Sequence, residues 1–235
     1  MRALTVACIQ MRSGTEVPAN VAEASALIRE AASSGATLVA TPEMTTLLDR
    51  RPGRLLAQAR GESEDISLPA FRALAAELGI TLLIGSIPIR VSAEQCANRS
   101  YVIDGRGAIR ARYDKIHLFD VDLGPGQVYR ESKRFVAGER SCLVALDGYR
   151  LGLSVCYDLR FPELYRNLAR RGAELLSVPS AFTVPTGEAH WHVLLRARAI
   201  ETGCFVLAPA QHGLHEDGRE TYGHTLMVDP WGRVI

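Results

Sequence analysis

The hydrophobic positions of this chain recur in one arrangement: the end of an amphipathic helix, a glycine, and a short apolar strand that stops at a polar residue. Three passages show it, AASSGATLVATPE, LAAELGITLLIGS and LARRGAELLSVPS. Glycine ends helices readily because it adopts a left-handed backbone conformation at little cost. The passages are spaced irregularly, so they indicate recurring topology rather than a solenoid repeat. Helices that alternate with strands predict an α/β fold.

Apolar residues at intervals of three and four predict the helices. The first helix is expected to be capped by Asn20, because a short polar side chain can accept hydrogen bonds from the free N–H groups of a first turn. Further helices are predicted at 69–78, from Pro162 to Gly172, and at 189–201.

Short apolar runs between the helices predict strands at 4–9, 37–40, 80–84, 151–155, 174–178 and 204–208. Two more strand pairs are joined by Asp-Gly, a dipeptide that favours tight hairpin turns. They pair 101–103 with 109–113, and 143–146 with a strand that begins at Tyr149. Hairpins are antiparallel and strand–helix–strand units are parallel, so the sheets are expected to be mixed.

Two segments depart from this regular pattern. The stretch 120–140, which contains several glycines and a proline, is predicted to be a long loop, and long loops in compact domains tend to carry function. Residues 225–228 begin a last hairpin, but only Arg233, Val234 and Ile235 return after its DPWG turn. Such a hairpin leaves an unpaired strand edge, and we therefore expect a C-terminal segment to be missing.

Composition narrows the class of protein. A chain of 235 residues, 47% of them hydrophobic, can bury a large core and predicts a single domain over 1–235. Lys+Arg 27 against Asp+Glu 26 gives a formal charge of +1, which argues against nucleic-acid and membrane-surface partners. The sequence has neither a bilayer-spanning apolar run nor a secretory signal. Five cysteines without a CxxC pair favour free thiols in the reducing cytoplasm.

Cys156 is placed where a nucleophile would be useful. It follows the apolar strand 151–155 and precedes a polar break and the helix at Pro162, after which the next strand is predicted to run parallel. Ligands of open α/β sheets gather beyond the carboxyl ends of such strands. A polar strand end just before a helix is expected to lower the pKa of the thiol. The alternative is a buried, inert cysteine, which is common.

Three charged residues are further candidates. Glu43 emerges from an apolar stretch after Pro42, and buried surroundings are expected to raise the pKa of its carboxyl, as a general base near neutrality requires. Lys115 ends a hairpin strand, where its ammonium could stabilise an oxyanion. The alternatives are a solvated carboxylate and a surface lysine. Glu131, judged by its neighbours alone, is a charged loop residue.

The sequence carries no P-loop and no GxGxxG motif. His190 and His192 lie two residues apart, so on a helix their side chains point away from each other, and we predict no metal site. Ser154 in GLSVC matches the serine-hydrolase pattern GxSxG only in part and is expected to be a strand residue.

Four passages together resemble the nitrilase superfamily of carbon–nitrogen hydrolases. They are the TPE that ends at Glu43, DKIHLFD around Lys115, CYDLRFPEL from Cys156, and AHWHVLLRARAIE. The match covers essentially the whole chain in the right order. The resemblance implies a catalytic triad of Glu43, Lys115 and Cys156, with Glu131 in the place of a second family glutamate. It also implies a four-layer α-β-β-α sandwich with two mixed sheets, a homodimer, and no metal or organic cofactor.

Within the superfamily the sequence resembles the Nit branch, through CYDLRFPEL, RARAIET and the late YGHTLMVDPWG. The nearest resemblance there is to amidases of deaminated glutathione, followed by ω-amidases. Members of this branch continue with more strand and a C-terminal segment beyond the DPWG turn, whereas this sequence stops at Ile235.

These observations predict a cysteine-dependent amidohydrolase that converts a primary amide of a small carboxylate-bearing molecule to acid and ammonia through a thioester. Cys156 attacks, Glu43 moves the proton, and Lys115 with the N–H of Tyr157 holds the oxyanion. Arg160 is expected to clamp a substrate carboxylate; the alternative is a salt bridge with Asp158 or Glu163. Three residues beyond the next strand are expected to line the pocket, namely Ser180, Ala181 and Phe182.

The triad does not separate this activity from others of the same superfamily. An ω-amidase, a nitrilase or a carbamoylase would share it, and a non-catalytic binding module could retain the fold.

Overall fold

The computed structural model describes residues 4–51, 53–124, 128–146 and 148–235. The α-helices are α1 (Val17–Ser33), α2 (Arg54–Gln58), α3 (Ser67–Leu78), α4 (Pro162–Arg170) and α5 (Val184–Thr202). The strands are β1 (Val6–Cys8), β2 (Leu38–Ala40), β3 (Thr81–Arg90), β4 (Cys96–Ile103), β5 (Ile109–Asp114), β6 (Asp120–Asp122), β7 (Val128–Arg130), β8 (Phe135–Val136), β9 (Cys142–Leu146), β10 (Tyr149–Leu153), β11 (Leu175–Ser177), β12 (Phe205–Ala208), β13 (His212–Leu214), β14 (Glu220–Tyr222) and β15 (Leu226–Val228). Short 3₁₀ helices occupy Glu62–Glu64, Glu131–Lys133 and Cys156–Arg160.

Two mixed sheets form the centre of the fold. The first has the order β1-β2-β3-β4-β5, with β8 paired to β4; β1, β2 and β3 are parallel, whereas β3, β4 and β5 are antiparallel. The second has the order β15-β12-β11-β10-β9, with three parallel central strands and an antiparallel strand at each edge. The predicted α/β fold, the antiparallel pairing of both predicted hairpins and the mixed sheets are confirmed; Asp147 in the second turn lies outside the described residues.

The alternation of side chains along the first sheet shows how the layers stack. Val39 and Leu82 pack with α1 and α3 on one face. Leu38 and Leu83, one residue away in each strand, pack on the other face in a core that includes the second sheet, α4 and α5. Successive side chains of a strand point to opposite faces, so the order of layers is helices, sheet, sheet, helices. The four-layer α-β-β-α sandwich is confirmed.

Two local predictions need correction. Helix α1 begins at Val17, so Asn20 lies inside the helix rather than at its cap. Asn20 instead accepts a hydrogen bond from the Gly14 N–H at 2.7 Å and donates to the Thr46 carbonyl at 2.8 Å, which ties the helix to two loops. The stretch 120–140 is not loop throughout, because β6 and β7 pair within it; Pro125 and Gly126 lie outside the described residues.

The end of the chain is paired with the second sheet. Val234 forms an antiparallel bridge with Val228, and the Ile235 N–H donates to the Met227 carbonyl at 3.0 Å. Val234 and Ile235 therefore make the first pairing contacts of the last predicted hairpin.

Gly85 is a point of close approach between chain segments of the two sheets. It lies within β3, where the register with β4 shifts. A Cβ atom built on Gly85 would lie 2.0 Å from the Thr41 carbonyl oxygen and 2.6 Å from Pro179 Cβ. Thr41 follows β2 of the first sheet and Pro179 follows β11 of the second. Only glycine allows both chain segments to approach β3 this closely.

We therefore expect Gly85→Ala to lower the free energy of unfolding by about 3 kcal/mol, because backbone atoms would have to move. Gly61→Ala is the matched control: Gly61 has a φ of −59° and no atom within 4 Å of an added Cβ, so its effect should stay within about 1 kcal/mol. Denaturant unfolding measures both. Equal effects of the two substitutions would contradict the proposed close packing.

Candidate active site

Three strand ends from the two sheets meet at one cavity. Glu43 lies three residues beyond β2, Lys115 directly follows β5, and Cys156 begins the 3₁₀ helix that comes after β10. The first two strands belong to the first sheet and β10 to the second. All three side chains line the same cavity. The fold thus brings together the residues that the sequence patterns singled out.

Lys115 is a buried ammonium that lies between two carboxylates. Its side chain is 2% exposed, and Nζ lies 3.1 Å from Glu43 Oε1 and 2.8 Å from Glu131 Oε2. The sequence around Glu131 had indicated a charged loop residue, but its side chain is largely buried against Lys115. It also accepts the Phe119 N–H at 2.7 Å. The cluster has one positive and two negative groups.

The pKa directions follow from this arrangement. Burial by itself lowers the pKa of Lys115, but Glu131 and Glu43 outweigh it and raise the pKa well above its ordinary value. Burial raises the pKa of the Glu43 carboxyl, but Lys115 and hydrogen bonds from Cys156 and Asn98 bring it below its ordinary value. The raised pKa expected for Glu43 is therefore wrong, since the sequence pattern did not reveal the ammonium beside it.

Asn98 is a site residue that the sequence analysis missed. Its Nδ2 donates to Glu43 Oε1 at 2.9 Å and to Glu131 Oε1 at 3.3 Å. Its carbonyl accepts the Lys115 N–H at 3.0 Å. Asn98 Oδ1 is buried and accepts no hydrogen bond in the described part of the chain. The sequence analysis began this strand at residue 101, so Asn98 lay outside the predicted element, and its partners come from distant segments of the chain.

The second oxygen and the backbone of Glu43 are also fixed. The Ala181 N–H donates to Glu43 Oε2 at 2.9 Å, and Gln211 Nε2 donates to the Glu43 carbonyl at 3.0 Å. Gln211 is fully buried and is another residue that sequence reasoning missed. The carboxylate is thus held from both sheets.

Cys156 lies in a strained turn beside this carboxylate. Its φ is 51°, in the left-handed region that non-glycine residues seldom occupy, and such strain costs about 1–3 kcal/mol and is concentrated at functional sites. Its N–H donates to the Pro179 carbonyl at 2.9 Å. Burial and then Glu43 raise the pKa of the thiol well above its ordinary value, and Lys115 only partly opposes them. The predicted lowering is wrong because the thiol is buried and the Glu43 carboxylate acts on it more strongly than the Lys115 ammonium.

Asp158 holds the turn that carries Cys156. Its Oδ2 accepts the Val155 N–H at 2.8 Å and the Tyr113 hydroxyl at 2.7 Å, and its Oδ1 accepts the His117 N–H at 3.0 Å. The carboxylate is fully buried. These bonds tie the turn of the second sheet to β5 of the first, so Asp158 does not form the alternative salt bridge with Arg160.

Arg160 lies at the cavity wall. Among the described residues no carboxylate comes within 4.0 Å of its guanidinium, which rests 5.8 Å from the ring centres of Tyr157 and Phe182 and 3.3 Å from His190 Nδ1. Both rings also line the cavity. The guanidinium is therefore positioned by rings and keeps its charge unpaired.

Of the other residues predicted to line the pocket, some line the cavity and one does not. Ala181 and Phe182 line the cavity, and the Tyr157 N–H has no acceptor within the described chain. Ser180 does not line it: the residue is fully buried, and its hydroxyl donates to the Val178 carbonyl at 3.0 Å. Its place in the pocket was wrongly predicted, because side chains of successive residues point in different directions.

No group of three or more His, Cys, Asp or Glu is arranged to hold a metal ion within the described ranges. Likewise, none of the described helices combines the length and the apolar character needed to span a membrane.

Comparisons with known proteins agree with this architecture. The sequence model of the carbon-nitrogen hydrolase family matches residues 5–235. A deaminated glutathione amidase of Yersinia enterocolitica is 42% identical over 239 residues, which cover 100% of this chain and 82% of the relative. The structure of Nit3 from Saccharomyces cerevisiae, a member of branch 10 of the nitrilase superfamily, superposes with a TM-score of 0.88 at 28% identity over 99% of this chain and 84% of that one.

A further neighbour is an amidase from Nesterenkonia sp., with a TM-score of 0.85 and 28% identity over 99% of this chain and 87% of that one; a mutant of it carries acrylamide added to its active-site cysteine. The four-layer sandwich and its relatives define a hydrolase that acts through a cysteine. The chain belongs to the carbon-nitrogen hydrolase family, and within the nitrilase superfamily it is a cysteine-dependent amidohydrolase. The resemblance to the Nit branch is confirmed.

Removal of the ammonium should destabilise the fold in a pH-dependent way. Lys115→Met leaves Glu43 and Glu131 buried without a counter-ion, at a cost of about 3–5 kcal/mol. In the wild type the lowered pKa of Glu43 adds stability above the pKa of the unfolded chain and loses it as pH falls. Both pH 5 and pH 8 lie above the pKa of the unfolded carboxyl, so the wild type keeps this gain at both. In Lys115→Met, burial is left to raise the pKa of Glu43, and the carboxyl takes up a proton in the folded state as pH falls. The difference in unfolding free energy should therefore be larger near pH 8 than near pH 5.

Lys133→Met is the matched control. Lys115 and Lys133 are the only lysines of the sequence, and Lys133 is exposed. Its replacement should change stability by less than about 0.5 kcal/mol at either pH. A pH-independent loss in Lys115→Met would show that packing, rather than charge, is what the substitution removes.

Proposed function

We propose that the chain hydrolyses an amide bond of a small carboxylate-bearing molecule through a thioester on Cys156. The observation that carries the proposal is the contact of a buried thiol with a carboxylate that is itself paired with a buried ammonium. A base, a nucleophile and a cation on one cavity wall are the groups that acyl transfer needs.

The first half-reaction forms the thioester. Glu43 takes the thiol proton as sulfur attacks the carbonyl carbon, and the carbonyl electron pair moves to oxygen. The Lys115 ammonium and the free N–H of Tyr157 stabilise that oxyanion. When the tetrahedral intermediate collapses, the C–N bond breaks and Glu43 returns the proton to the leaving nitrogen. Ammonia leaves from a primary amide, and an amine leaves from a secondary one.

The second half-reaction restores the enzyme. Glu43 takes a proton from water as the water oxygen attacks the thioester carbon. The C–S bond breaks, the acid departs, and the proton moves to sulfur. The raised pKa of Cys156 fits this scheme, because a thiol that stays protonated at rest needs a base at the moment of attack.

Glu131 supports the reaction through Lys115. Two Glu131 oxygens lie within 3.1 Å of Lys115 Nζ, and the Phe119 N–H fixes one of them. Without Glu131, the Lys115 ammonium would have a carboxylate partner on one side only, namely Glu43. We assign Glu131 the role of orienting Lys115 toward the position of the oxyanion.

Arg160 and the relatives support the proposed substrate class. An unpaired guanidinium on the cavity wall suits a carboxylate, which it can bind through two hydrogen bonds. Two relatives that are each 42% identical to this chain are named for deaminated glutathione. That molecule has carboxylates but only secondary amides, so its leaving group would be an amine. Primary amides of dicarboxylic acids, the substrates of an ω-amidase, would release ammonia at the same site.

We also propose that the protein is a homodimer of the reducing cytoplasm. Val193 and Ile200, seven residues apart on α5, are 67% and 57% exposed, and Trp231 is 81% exposed. Large apolar side chains in such exposed positions favour burial against a second copy. All five cysteines are unpaired, as a reducing compartment would keep them.

Loss of the nucleophile or of the base tests the mechanism. Cys156→Ala should reduce hydrolysis of every amide to background, and Glu43→Gln should lower kcat by about 10²–10⁴-fold. Cys142→Ala is the control, since Cys142 does not line the cavity and should remain active. Product release is measured on deaminated glutathione and dicarboxylate monoamides. Near-wild-type turnover by Cys156→Ala would exclude the thioester route.

Arg160→Gln tests the substrate class. The ratio of kcat/KM for a carboxylate-bearing amide to that for its neutral analogue should fall about ten-fold or more, because a charge-assisted pair is lost. Arg166→Gln, on the exposed face of α4, should leave the ratio unchanged. An equal loss on acidic and neutral amides would remove the specificity role of Arg160.

A further inference from the structure

The cavity that contains Cys156 has two more arginines on its wall, Arg134 and Arg219. They come from separate parts of the chain: Arg134 follows the 3₁₀ helix that carries Glu131, and Arg219 precedes β14. Neither has a role in the proposed reaction. Both guanidinium groups lack a close ion pair or a hydrogen-bond acceptor among the described residues.

Arg134 is a half-buried cation without an ion pair in the described chain. Its N–H donates to the Glu131 carbonyl at 2.9 Å, so its backbone is anchored beside the catalytic cluster. Its Nη1 has only a 3.5 Å contact with the Asp49 carbonyl. Burial and then the neighbouring Arg219 lower the pKa of its guanidinium, which is the mark of two like charges held close together.

Arg219 is incompletely neutralised as well. Its Nε is buried and has no hydrogen-bond partner in the described residues. Its terminal nitrogen lies 3.7 Å from Asp217 Oδ2, and that same oxygen already accepts the Arg50 N–H at 2.7 Å. A buried N–H without an acceptor costs free energy, so an anion in the cavity would relieve it.

The carboxylates of the cavity wall do not supply that anion. Glu43 and Glu131 are paired with Lys115. The Asp49 carboxylate is fully buried and pairs with Arg51 at 2.6 Å, a residue outside the cavity lining. The wall therefore presents Arg134 and Arg219 as surplus positive charge, in addition to Arg160.

Both arginines belong to segments that contact the stretch of chain after Glu43. Arg134 contacts Asp49, and the β13–β14 turn that carries Arg219 contacts Arg50 through Asp217. Arg160, by contrast, belongs to the turn that follows Cys156. In the proposed mechanism Glu43 gives its proton to the leaving nitrogen, so the leaving group lies on the Glu43 side.

We propose that Arg134 and Arg219 form a subsite for a carboxylate on the amine portion of the substrate. This inference rests on the proposed function. The substrate class is an amide whose leaving amine itself bears a carboxylate, as an amino acid or short peptide does. Two cationic subsites on either side of the reacting amide would select substrates with a carboxylate at each end.

A matched pair of substrates tests the subsite. Both are γ-amides of 2-oxoglutarate; one has glycine and the other glycinamide as the leaving amine, so they differ in one carboxylate. The wild type should show a kcat/KM about ten-fold or more higher for the glycine amide. Arg134→Gln and Arg219→Gln should each move this ratio toward one. Arg130→Gln, which removes an exposed cation next to Glu131, should keep the wild-type ratio.

Binding supplies a readout that does not depend on turnover. On the Cys156→Ala background, calorimetry should show tighter binding of the glycine amide, and Arg134→Gln or Arg219→Gln should abolish the difference. Equal hydrolysis and equal binding of both amides would overturn the subsite and leave the proposed function standing. Charge-selective binding without any hydrolysis by the wild type would support the subsite and overturn the function. A ratio lowered equally by Arg130→Gln would reduce the effect to bulk charge and overturn the subsite.

Discussion

The contact on which the site depends is a single ammonium buried between two carboxylates. Lys115 Nζ is within 3.1 Å of both Glu43 and Glu131, and desolvation of three charges is tolerable only where each keeps close partners. Burial, and then the Glu43 carboxylate, raises the pKa of the Cys156 thiol, and the Lys115 ammonium opposes them only in part. In the proposed reaction the resting state is therefore a neutral thiol beside a carboxylate, and the sulfur becomes charged only as it attacks.

The layered fold serves this cluster by bringing three strand ends to one point. Glu43 and Lys115 come from the first sheet and Cys156 from the second, so the geometry is only as accurate as the packing between the sheets. Gly85 permits that approach, and Asp158 spans it with hydrogen bonds on both sides. Residues that never touch a substrate thus determine the separation of the reacting groups.

Local sequence patterns predicted the parts of the site that local physics determines. The strand that precedes Cys156 and the helix after it follow from apolar spacing and Pro162. The pKa directions of Glu43 and Cys156 could not be predicted, since each depends on a partner from a distant strand. Asn98 was missed for the same reason. One compositional signal was available: Lys115 is one of only two lysines in a chain with 27 Lys and Arg residues.

The distribution of charge in the cavity has a consequence for how a substrate would be oriented. The reacting cluster is negative, whereas Arg160, Arg134 and Arg219 on the surrounding wall are positive. A carboxylate that entered next to Glu43 would meet repulsion in a site of low dielectric constant, where such repulsion is strong. The same carboxylate at an arginine would be attracted. A molecule that carries charged ends and a neutral amide between them can satisfy both conditions only with the amide at Cys156. The separation of charge would then orient the substrate as well as bind it.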